Sequence, residues 1–167
     1  SVFNGVSAGN KNYTVTDANG CVGFASVNIA EPTVLAIGTP SVTDVVCYGG
    51  TTGAIDITVS GGTGSYTYAW TGPNTFTSTS EDISSLVAGS YTVTVHDANG
   101  STGGCSATAN VTVGQPAAAV AIATPVVTDV VCNGGTTGAI NITVSGGTGS
   151  YTYAWTGPNT FTSTSED

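Results

Sequence analysis

Apolar and polar residues alternate along most of this chain, and the alternation has the period of a β-strand. Between Gly53 and Ser60 every second residue is isoleucine or valine, with polar or small residues in between. The same period returns in three further stretches, separated by turn-forming Gly, Pro, Asn and Asp: Tyr66–Thr71, Tyr91–His96 and Cys105–Val113. Because such alternation puts apolar side chains on one face, it predicts half-buried strands. No convincing helical pattern is present.

One long stretch of this pattern occurs twice. Residues Val42–Asp82 and Val127–Asp167 are identical except at two positions, where Tyr48 and Asp56 are replaced by asparagine in the second copy. The offset between the copies is 85 residues. A solenoid unit rarely exceeds about 50 residues, so this period suits a small all-β domain instead. The sequence therefore predicts a tandem array of sandwich domains.

The second half of the unit repeats as well, with an insertion. Ala8–Gly20 matches Ala88–Gly100 at an offset of 80, and the cysteines that follow are 84 residues apart. The extra residues lie between two predicted strands, where a surface hairpin tolerates them. Three parts are predicted: the C-terminal half of a unit in residues 1–38, a complete β-sandwich unit in residues 39–122, and the N-terminal half of the next unit in residues 123–167. The chain is thus expected to be a window from a longer repetitive protein.

The residues ahead of the strand at Tyr91 have the spacing of a tyrosine corner. Leu86 and Gly89 precede Tyr91, and an alternating strand follows, as in Greek-key sandwiches. About seven short strands, with turns every 8–12 residues or so, complete the sandwich signature. The predicted fold class is all-β, as tandem immunoglobulin-like Greek-key β-sandwich domains.

The motifs of the complete unit occur in a characteristic order. They are Cys-x-Gly-Gly from Cys47, Val-Ser-Gly-Gly-Thr-Gly-x-Tyr-x-Tyr-x-Trp from Val59, Leu-x-x-Gly-x-Tyr-Thr-Val-Thr-Val from Leu86, and Asp-Ala-Asn-Gly from Asp97, before a second cysteine. In this order the chain resembles the SprB-type repeat, over the complete unit and both halves. The resemblance implies a repeat found in many copies in very large cell-surface adhesins of gliding bacteria, exported by type IX secretion. The chain is also similar to PKD domains in one strand, which implies shared architecture without determining function.

Composition excludes several classes of function. The 167 residues carry a formal net charge of −9, with ten acidic residues and a single cation, Lys11. Binding to nucleic acid or to an anionic membrane surface needs a row of cations, so neither is expected. His96 is the one histidine, and the aligned residue in the first unit is Thr16. No triad or carboxylate pair can be assembled around it, so the chain is not expected to be an enzyme or to need a cofactor.

The aromatic strand allows two interpretations. Tyr66, Tyr68 and Trp70 fall on one face, so they would form a glycan-binding platform if that face met solvent. If the face meets the core instead, the tryptophan is buried and the tyrosine hydroxyls reach water at the rim. Strand C of such sandwiches carries a buried tryptophan, which favours core packing.

The turn that begins at Asp97 also allows two interpretations. Oxygen-rich turns bind calcium, so Asp97 and Asn99 would do so together with a carboxylate from elsewhere, such as Asp44. The alternative is a hairpin whose Asn-Gly pair adopts positive φ and needs no metal. The second interpretation is favoured, so no metal is expected.

Each unit carries an early and a late cysteine, which suggests disulfides and an oxidising compartment. Cys47 stands six residues before Gly53. Six extended residues reach about 20 Å, enough to bring Cys47 to the end where Cys105 begins the last strand. A Cys47–Cys105 disulfide is therefore predicted, which would leave Cys21 and Cys132 unpaired. A zinc site is not expected, because close CxxC-type pairs are absent.

Two functions fit these observations. The first is a structural tandem repeat of a long extracellular bacterial adhesin or surface filament, which extends from the cell surface and bears load in adhesion or gliding. The second is a carbohydrate- or calcium-binding repeat that gains avidity from its copies. Expected partners are neighbouring units of the same chain, other chains in a laterally associated filament, and surface polysaccharide, without membrane insertion. The linkers Ala30–Val42 and Gly114–Val127 contain prolines and little Gly or Ser, which favours a stiff rod.

Overall fold

The structure, a computed structural model, describes residue 2 and residues 4–98 and 104–166. In these residues the chain consists of β-strands joined by turns, which confirms the predicted all-β class. Two single-turn 3-10 segments, Pro73–Thr75 and Pro158–Thr160, supply the helical residues of the described ranges. None of the described helical residues forms a helix long and apolar enough to cross a membrane.

The described residues form 17 strands, and the longest have eight residues. In chain order they are β1 Gly9–Thr16, β2 Val22–Ile29, β3 Ala36–Ile37, β4 Ser41–Thr43, β5 Gly53–Asp56, β6 Val59–Ser60, β7 Thr67–Thr71, β8 Thr77–Ser78, β9 Ile83–Leu86, β10 Gly89–His96, β11 Ser106–Val113, β12 Ala121–Ile122, β13 Val126–Thr128, β14 Ala139–Asn141, β15 Val144–Ser145, β16 Trp155–Thr156 and β17 Thr162–Ser163. The turn after β6 contains three glycines at positive φ, Gly61, Gly62 and Gly64.

The central unit is a sandwich of two sheets. One sheet has four strands in the order β11–β10–β7–β8, the other has three in the order β4–β5–β9, and β3 pairs separately with β6. All of these pairings are antiparallel. The chain changes sheets five times, between β3 and β4, β5 and β6, β6 and β7, β8 and β9, and β9 and β10.

The inward faces of the two sheets form one hydrophobic core. Along β10, the buried residues Tyr91, Val93 and Val95 alternate with threonines that are less buried. Buried side chains from both sheets and the adjoining loops join one cluster: Val45, Ile55, Ile57, Trp70, Ile83, Leu86, Tyr91, Val93, Val95, Val111 and Val113. The two-residue period of the sequence therefore corresponds to the two faces of each strand.

Residues that precede the predicted boundary at Thr39 pair with a strand of the central sandwich. Leu35 is buried, and β3 pairs with β6, so the first strand of the unit lies in residues that precede that boundary. At the next joint β12 pairs with β15, so residues 121–122 belong to the following unit. Pro40 has no backbone N–H, so it interrupts the first strand between β3 and β4 without ending the unit.

The predicted strand Gly53–Ser60 is divided into two. Its first part, β5, pairs with β4 and β9, and its second part, β6, pairs with β3. Between them the Ile57 N–H donates to Asp82 Oδ1 at 3.0 Å, so a side chain takes the place of a neighbouring strand. This exchange of partner ends the regular ladder although the apolar alternation continues.

The parts of the chain on either side of the central sandwich keep their strand pairs. β1 and β2 form a hairpin with the same relative register as β10 and β11. After the central unit, β12–β15, β13–β14 and β16–β17 repeat the pairings β3–β6, β4–β5 and β7–β8. Ile140 is 47 % exposed, whereas the equivalent Ile55 is 1 % exposed. Strands with one open apolar face are marginally stable, so the flanks are expected to open before the centre.

Limited chymotrypsin digestion in dilute solution tests this difference. Exposed Phe24 and Phe161 lie in the flanks, whereas Trp70 and Tyr91 are buried in the centre. We expect cleavage after Phe24 and Phe161 to be much faster than cleavage after Trp70 and Tyr91, as measured by mass spectrometry of the fragments over time. Cleavage at Tyr91 as fast as at Phe24 would show that the centre is no more stable than the flanks.

Candidate functional site: the two poles of the central sandwich

The end at which the chain enters the central sandwich is organised around a buried carboxylate. Asp97 is 4 % exposed, and its Oδ2 accepts hydrogen bonds from Thr63 N at 3.0 Å and Thr63 Oγ1 at 3.1 Å. Ala98 N donates to Thr63 O, and Gly62 N donates to Thr33 O at 2.8 Å. We call this set, Thr33 with Gly62, Thr63, Asp97 and Ala98, the N-terminal pole. It ties the incoming chain to the turn after β6.

The end at which the chain leaves is held by a second set of bonds. Val45 N donates to Gly114 O at 2.9 Å, and Gly114 N donates to Asp44 Oδ1 at 2.7 Å. Gly49 N donates to Gln115 Oε1 at 2.8 Å. We call Asp44, Val45, Gly49, Gly114 and Gln115 the C-terminal pole. Here the early part of the unit is bonded to the residues that follow its last strand.

The carboxylates of the less favoured calcium interpretation, Asp44 and Asp97, lie at different poles. Asp97 precedes β11 and Asp44 contacts the residue after it. Eight strand residues separate these positions, a length of roughly 26 Å, so one ion cannot bind both carboxylates. Asn99 lies outside the described residues. Within those residues no group of three or more His, Cys, Asp and Glu side chains is arranged to hold a metal.

The predicted Cys47–Cys105 disulfide is wrong, because these two cysteines also lie at opposite poles. Cys105 is at the N-terminal pole, where its carbonyl accepts from Asp97 N, and Cys47 is two residues from Gly49 at the C-terminal pole. All four cysteines are exposed free thiols. A disulfide requires Cα atoms within about 7 Å. The segment after Cys47 does not extend as expected, because Gly50 N bonds back to Cys47 O at 2.9 Å.

The aromatic strand does not present its three rings together to solvent. Trp70 is 1 % exposed, and its Nε1 donates to Ser80 O at 2.9 Å. The Tyr66 hydroxyl donates to Gly61 O at 2.7 Å. Burial raises the pKa of Tyr68 above its ordinary value, and a hydrogen bond with Glu81 adds to the shift. The indole therefore lies in the core, and the two half-buried tyrosines lie at its rim.

At the predicted tyrosine corner, Tyr91 bonds back to the segment just before its strand. The Tyr91 hydroxyl donates to Val87 O at 2.9 Å, and its ring meets Phe76 edge to face at 5.4 Å. Gly89 has φ +146, and a Cβ there would lie 2.5 Å from Pro73 Cγ. The corner thus needs glycine at position 89, since both the backbone conformation and the space exclude a side chain.

Lys11 is a residue whose role the alternation pattern does not indicate. In the first hairpin it occupies the position of Tyr91, two residues after Gly9 as Tyr91 is after Gly89. Its Nζ donates to Ser7 Oγ at 3.1 Å and to Ala8 O at 3.4 Å. The ammonium group therefore bonds to the segment just before the strand, as the tyrosine hydroxyl does. The offset of 80 between the two hairpins is the signal that could have found it.

Comparison with known proteins agrees with the motif order. The model of a protein family described as the SprB repeat matches residues 39–75 and 124–160. The matched segments correspond to each other at the internal offset of 85 residues. This confirms the predicted resemblance to the SprB-type repeat. No curated protein matches the chain.

Substitution of Gly89 tests the corner. We expect Gly89→Ala to destabilise the central sandwich by about 2–4 kcal/mol, because it adds an overlap with Pro73 to an unfavourable backbone conformation. Gly9 is the matched control, since it has φ +109 and nothing within 4 Å of a built Cβ. Gly9→Ala should leave the urea midpoint of the central unit unchanged. Equal midpoints for both variants would contradict the steric role.

The buried phenol also predicts a pH dependence. Burial raises the pKa of Tyr91 above 10.0, so the folded state holds the phenol proton more tightly than the unfolded state does. The contribution of this phenol to the free energy of unfolding is therefore fully present below pH 10.0 and is lost as the pH rises above that value. Tyr91→Phe should cost about 1 kcal/mol at neutral pH through the lost hydrogen bond, yet reduce the alkaline loss. Urea unfolding across this range measures both effects. Exposed Tyr48→Phe is the control, and a Tyr91→Phe curve parallel to it would contradict the assignment.

Proposed function

We propose that this chain is a structural section of a long extracellular fibre on a bacterial cell surface. In this fibre repeated sandwiches extend away from the cell and bear load in adhesion or gliding. The matches to the SprB repeat support a repeat module of a large surface adhesin. The observation that carries the finer proposal is that the chain enters and leaves the sandwich at opposite poles, because such units add length when they are joined.

The joint between units is short, which supports a stiff rod. Gln115 is bonded to the central unit through Gly49 N, and Ala118 O accepts from Gly147 N of the following unit at 2.9 Å. Only Pro116 and Ala117 lie between these two anchored residues, and Pro116 is buried. Proline restricts the backbone, and a linker of two residues leaves little room for bending. The apolar, proline-containing composition of this linker agrees with its geometry.

The C-terminal pole supports a role under tension. The bonds from Val45 N to Gly114 O and from Gly114 N to Asp44 Oδ1 link the early part of the unit to its exit. The eight-residue pairing of β10 with β11 anchors the last strand to the centre of its sheet. A force applied along the chain must break these bonds before the unit lengthens.

We further propose that the fibre is extracellular and exported by type IX secretion, with neighbouring repeats and laterally associated chains as its partners. Neither an enzymatic activity nor a nucleic-acid partner is part of this proposal, in keeping with the single cation of the chain. A carbohydrate-binding repeat is the alternative hypothesis. It receives less support, since the Trp70 indole is buried and the Tyr66 hydroxyl already has a partner.

Spin-label distances between native cysteines test the rod. Cys105 lies at the N-terminal pole of the central unit, and Cys132 is equivalent to Cys47 in the next unit. In a variant with Cys21→Ser and Cys47→Ser, an extended joint should place labels at the two remaining cysteines about 60 Å apart, from two strand lengths and a short linker. A distance under about 40 Å would mean that the units fold back, which would refute the rod.

A flexible insertion provides the matched control. Six residues of Gly and Ser placed between Pro116 and Ala117 should broaden the same distance distribution, because flexible linkers behave as coils. The local strand pairs of both units are left intact by this change. If the native distribution is already as broad as that of the insertion variant, the joint is flexible and the load-bearing rod is refuted.

A further inference from the structure

The four-stranded sheet of the central unit has an outer face made of small, uncharged side chains. Its inward positions carry Trp70, Tyr91, Val93 and Val95, so the residues between them point away from the core. The core of this unit is closed, so the outer face is a surface of a finished sandwich. The strand registers align its residues in rows across β8, β7, β10 and β11: Thr77, Thr71, Thr92 and Asn110; Ala69, Thr94 and Thr108; Thr67, His96 and Ser106; Ser90 and Thr112.

The outer face carries no charge in a chain that is strongly acidic. None of its residues is charged when His96 is neutral, although the formal net charge of the chain is −9. The carboxylates of the central unit lie elsewhere: Asp44 and Asp97 at the two poles, Asp56 on the three-stranded sheet, Asp82 beside the Ile57 N–H and Glu81 beside the Tyr68 hydroxyl. Like charges that are brought together across an interface repel each other. The outer face is therefore a surface over which two of these acidic chains can meet without such repulsion.

Polar groups of the outer face are bonded to each other across the strands. Thr92 Oγ1 donates to Asn110 Oδ1 at 2.7 Å, and the hydroxyl oxygens of Thr94 and Thr108 lie 3.4 Å apart. A hydroxyl that keeps such a partner costs less free energy to cover than one that loses its water. The same bonds occupy groups that a glycan would need. This arrangement favours contact with another protein surface over a sugar site.

We propose that the outer face packs against the outer face of a second copy of this chain, so that two chains lie side by side. The contact is isologous, which means that both copies use the same patch and residues near the two-fold axis meet their own counterparts. The axis runs along the chain direction, so both chains point the same way, as fibres anchored on one surface must. This inference rests on the proposed function, because it identifies the surface through which the fibre associates laterally.

The size of the outer face gives a weak contact for one unit. Three strands spaced about 4.8 Å apart and up to about 26 Å long cover roughly 370 Å² per copy. A stable interface buries about 800 Å² per partner, so a single unit supplies roughly half of that area. The β1–β2 hairpin repeats the uncharged pattern, with Asn10, Asn12, Thr14 and Thr16 at the outer positions of β1. Each further unit adds contact area, so long chains associate more tightly than short ones.

Cross-linking at single introduced cysteines tests the contact. The four native cysteines are exposed and are first replaced by serine. Thr94→Cys places a thiol at the centre of the outer face, and Ser84→Cys places one at an exposed position of β9 in the three-stranded sheet. With a short bismaleimide, we expect at least about tenfold more covalent dimer from Thr94→Cys, because the contact raises the effective concentration of its thiols. Labelling with N-ethylmaleimide corrects for thiol access, and equal corrected yields would overturn the proposal.

Charge substitutions at the same position provide an independent test. Thr94→Asp adds a carboxylate to the outer face, and Ser84→Asp gives the same net charge with the carboxylate on the three-stranded sheet. In analytical ultracentrifugation at concentrations up to about 1 mM, the mass of the unaltered chain should rise with concentration. Thr94→Asp should associate at least about tenfold more weakly, because two like charges would meet in the contact, whereas Ser84→Asp should match the unaltered chain.

Mixing variants separates loss of contact from loss of folding. Thr94→Lys alone should also associate weakly, but an equal mixture with Thr94→Asp should recover, since opposite charges then meet across the axis. An unfolded variant could not be rescued in this way. The proposal would be overturned by a mixture no stronger than either variant alone, by equal effects of Ser84→Asp and Thr94→Asp, or by an unaltered chain whose mass stays constant.

A sugar ligand for the outer face would give a different result. If dextran, a neutral polysaccharide, binds the unaltered chain but not Thr94→Asp while both remain monomeric, the face is a glycan site and the proposal is overturned. The rod is measured by label distances within one chain, so its failure and the failure of lateral pairing are distinguishable. Lateral pairing of chains whose joint folds back would refute the rod alone.

Discussion

The central sandwich depends on the packing of the three-stranded sheet against the inward face of β10. This strand is hydrogen-bonded on both sides, to β7 and β11, and its residues Tyr91, Val93 and Val95 are completely enclosed. Burial of one such side chain stabilises a fold by about 1.5–3 kcal/mol. In the facing sheet, β4–β5 and β5–β9 each pair over fewer residues than β10–β11 does. Trp70, the tyrosine corner and the Phe76 ring all pack against the same surface.

The near-identical second copy keeps the local hydrogen bonds of the central unit but not its burial. Trp70 and Trp155 make the same bond, Nε1 to the carbonyl of the residue ten positions later, and Tyr66 and Tyr151 likewise bond to glycine carbonyls. These local bonds form without a covering sheet. The apolar side chains between them are enclosed only where β9–β11 are present.

The chain enters the central unit at one end and leaves it at the other. A buried carboxylate holds the incoming chain at one pole, and the Asp44–Gly114 contact holds the outgoing chain at the other. The two poles lie at opposite ends of β11. Asp44 and Asp97, which both belong to one unit, are therefore far apart in space.

The sequence by itself determined the strands, the repeat and the tyrosine corner, because each depends on local spacing. Alternation every two residues places Tyr91, Val93 and Val95 on one face whatever they pack against. The offsets of 85 and 80 identified the unit and the position of Lys11. Loop paths and partners were decided by the tertiary structure alone. Alternation cannot show that Gly53–Ser60 exchanges one neighbour for another, or that the segment after Cys47 turns back. These outcomes depend on long-range hydrogen bonds between residues far apart in the chain, which leave no local period in the sequence.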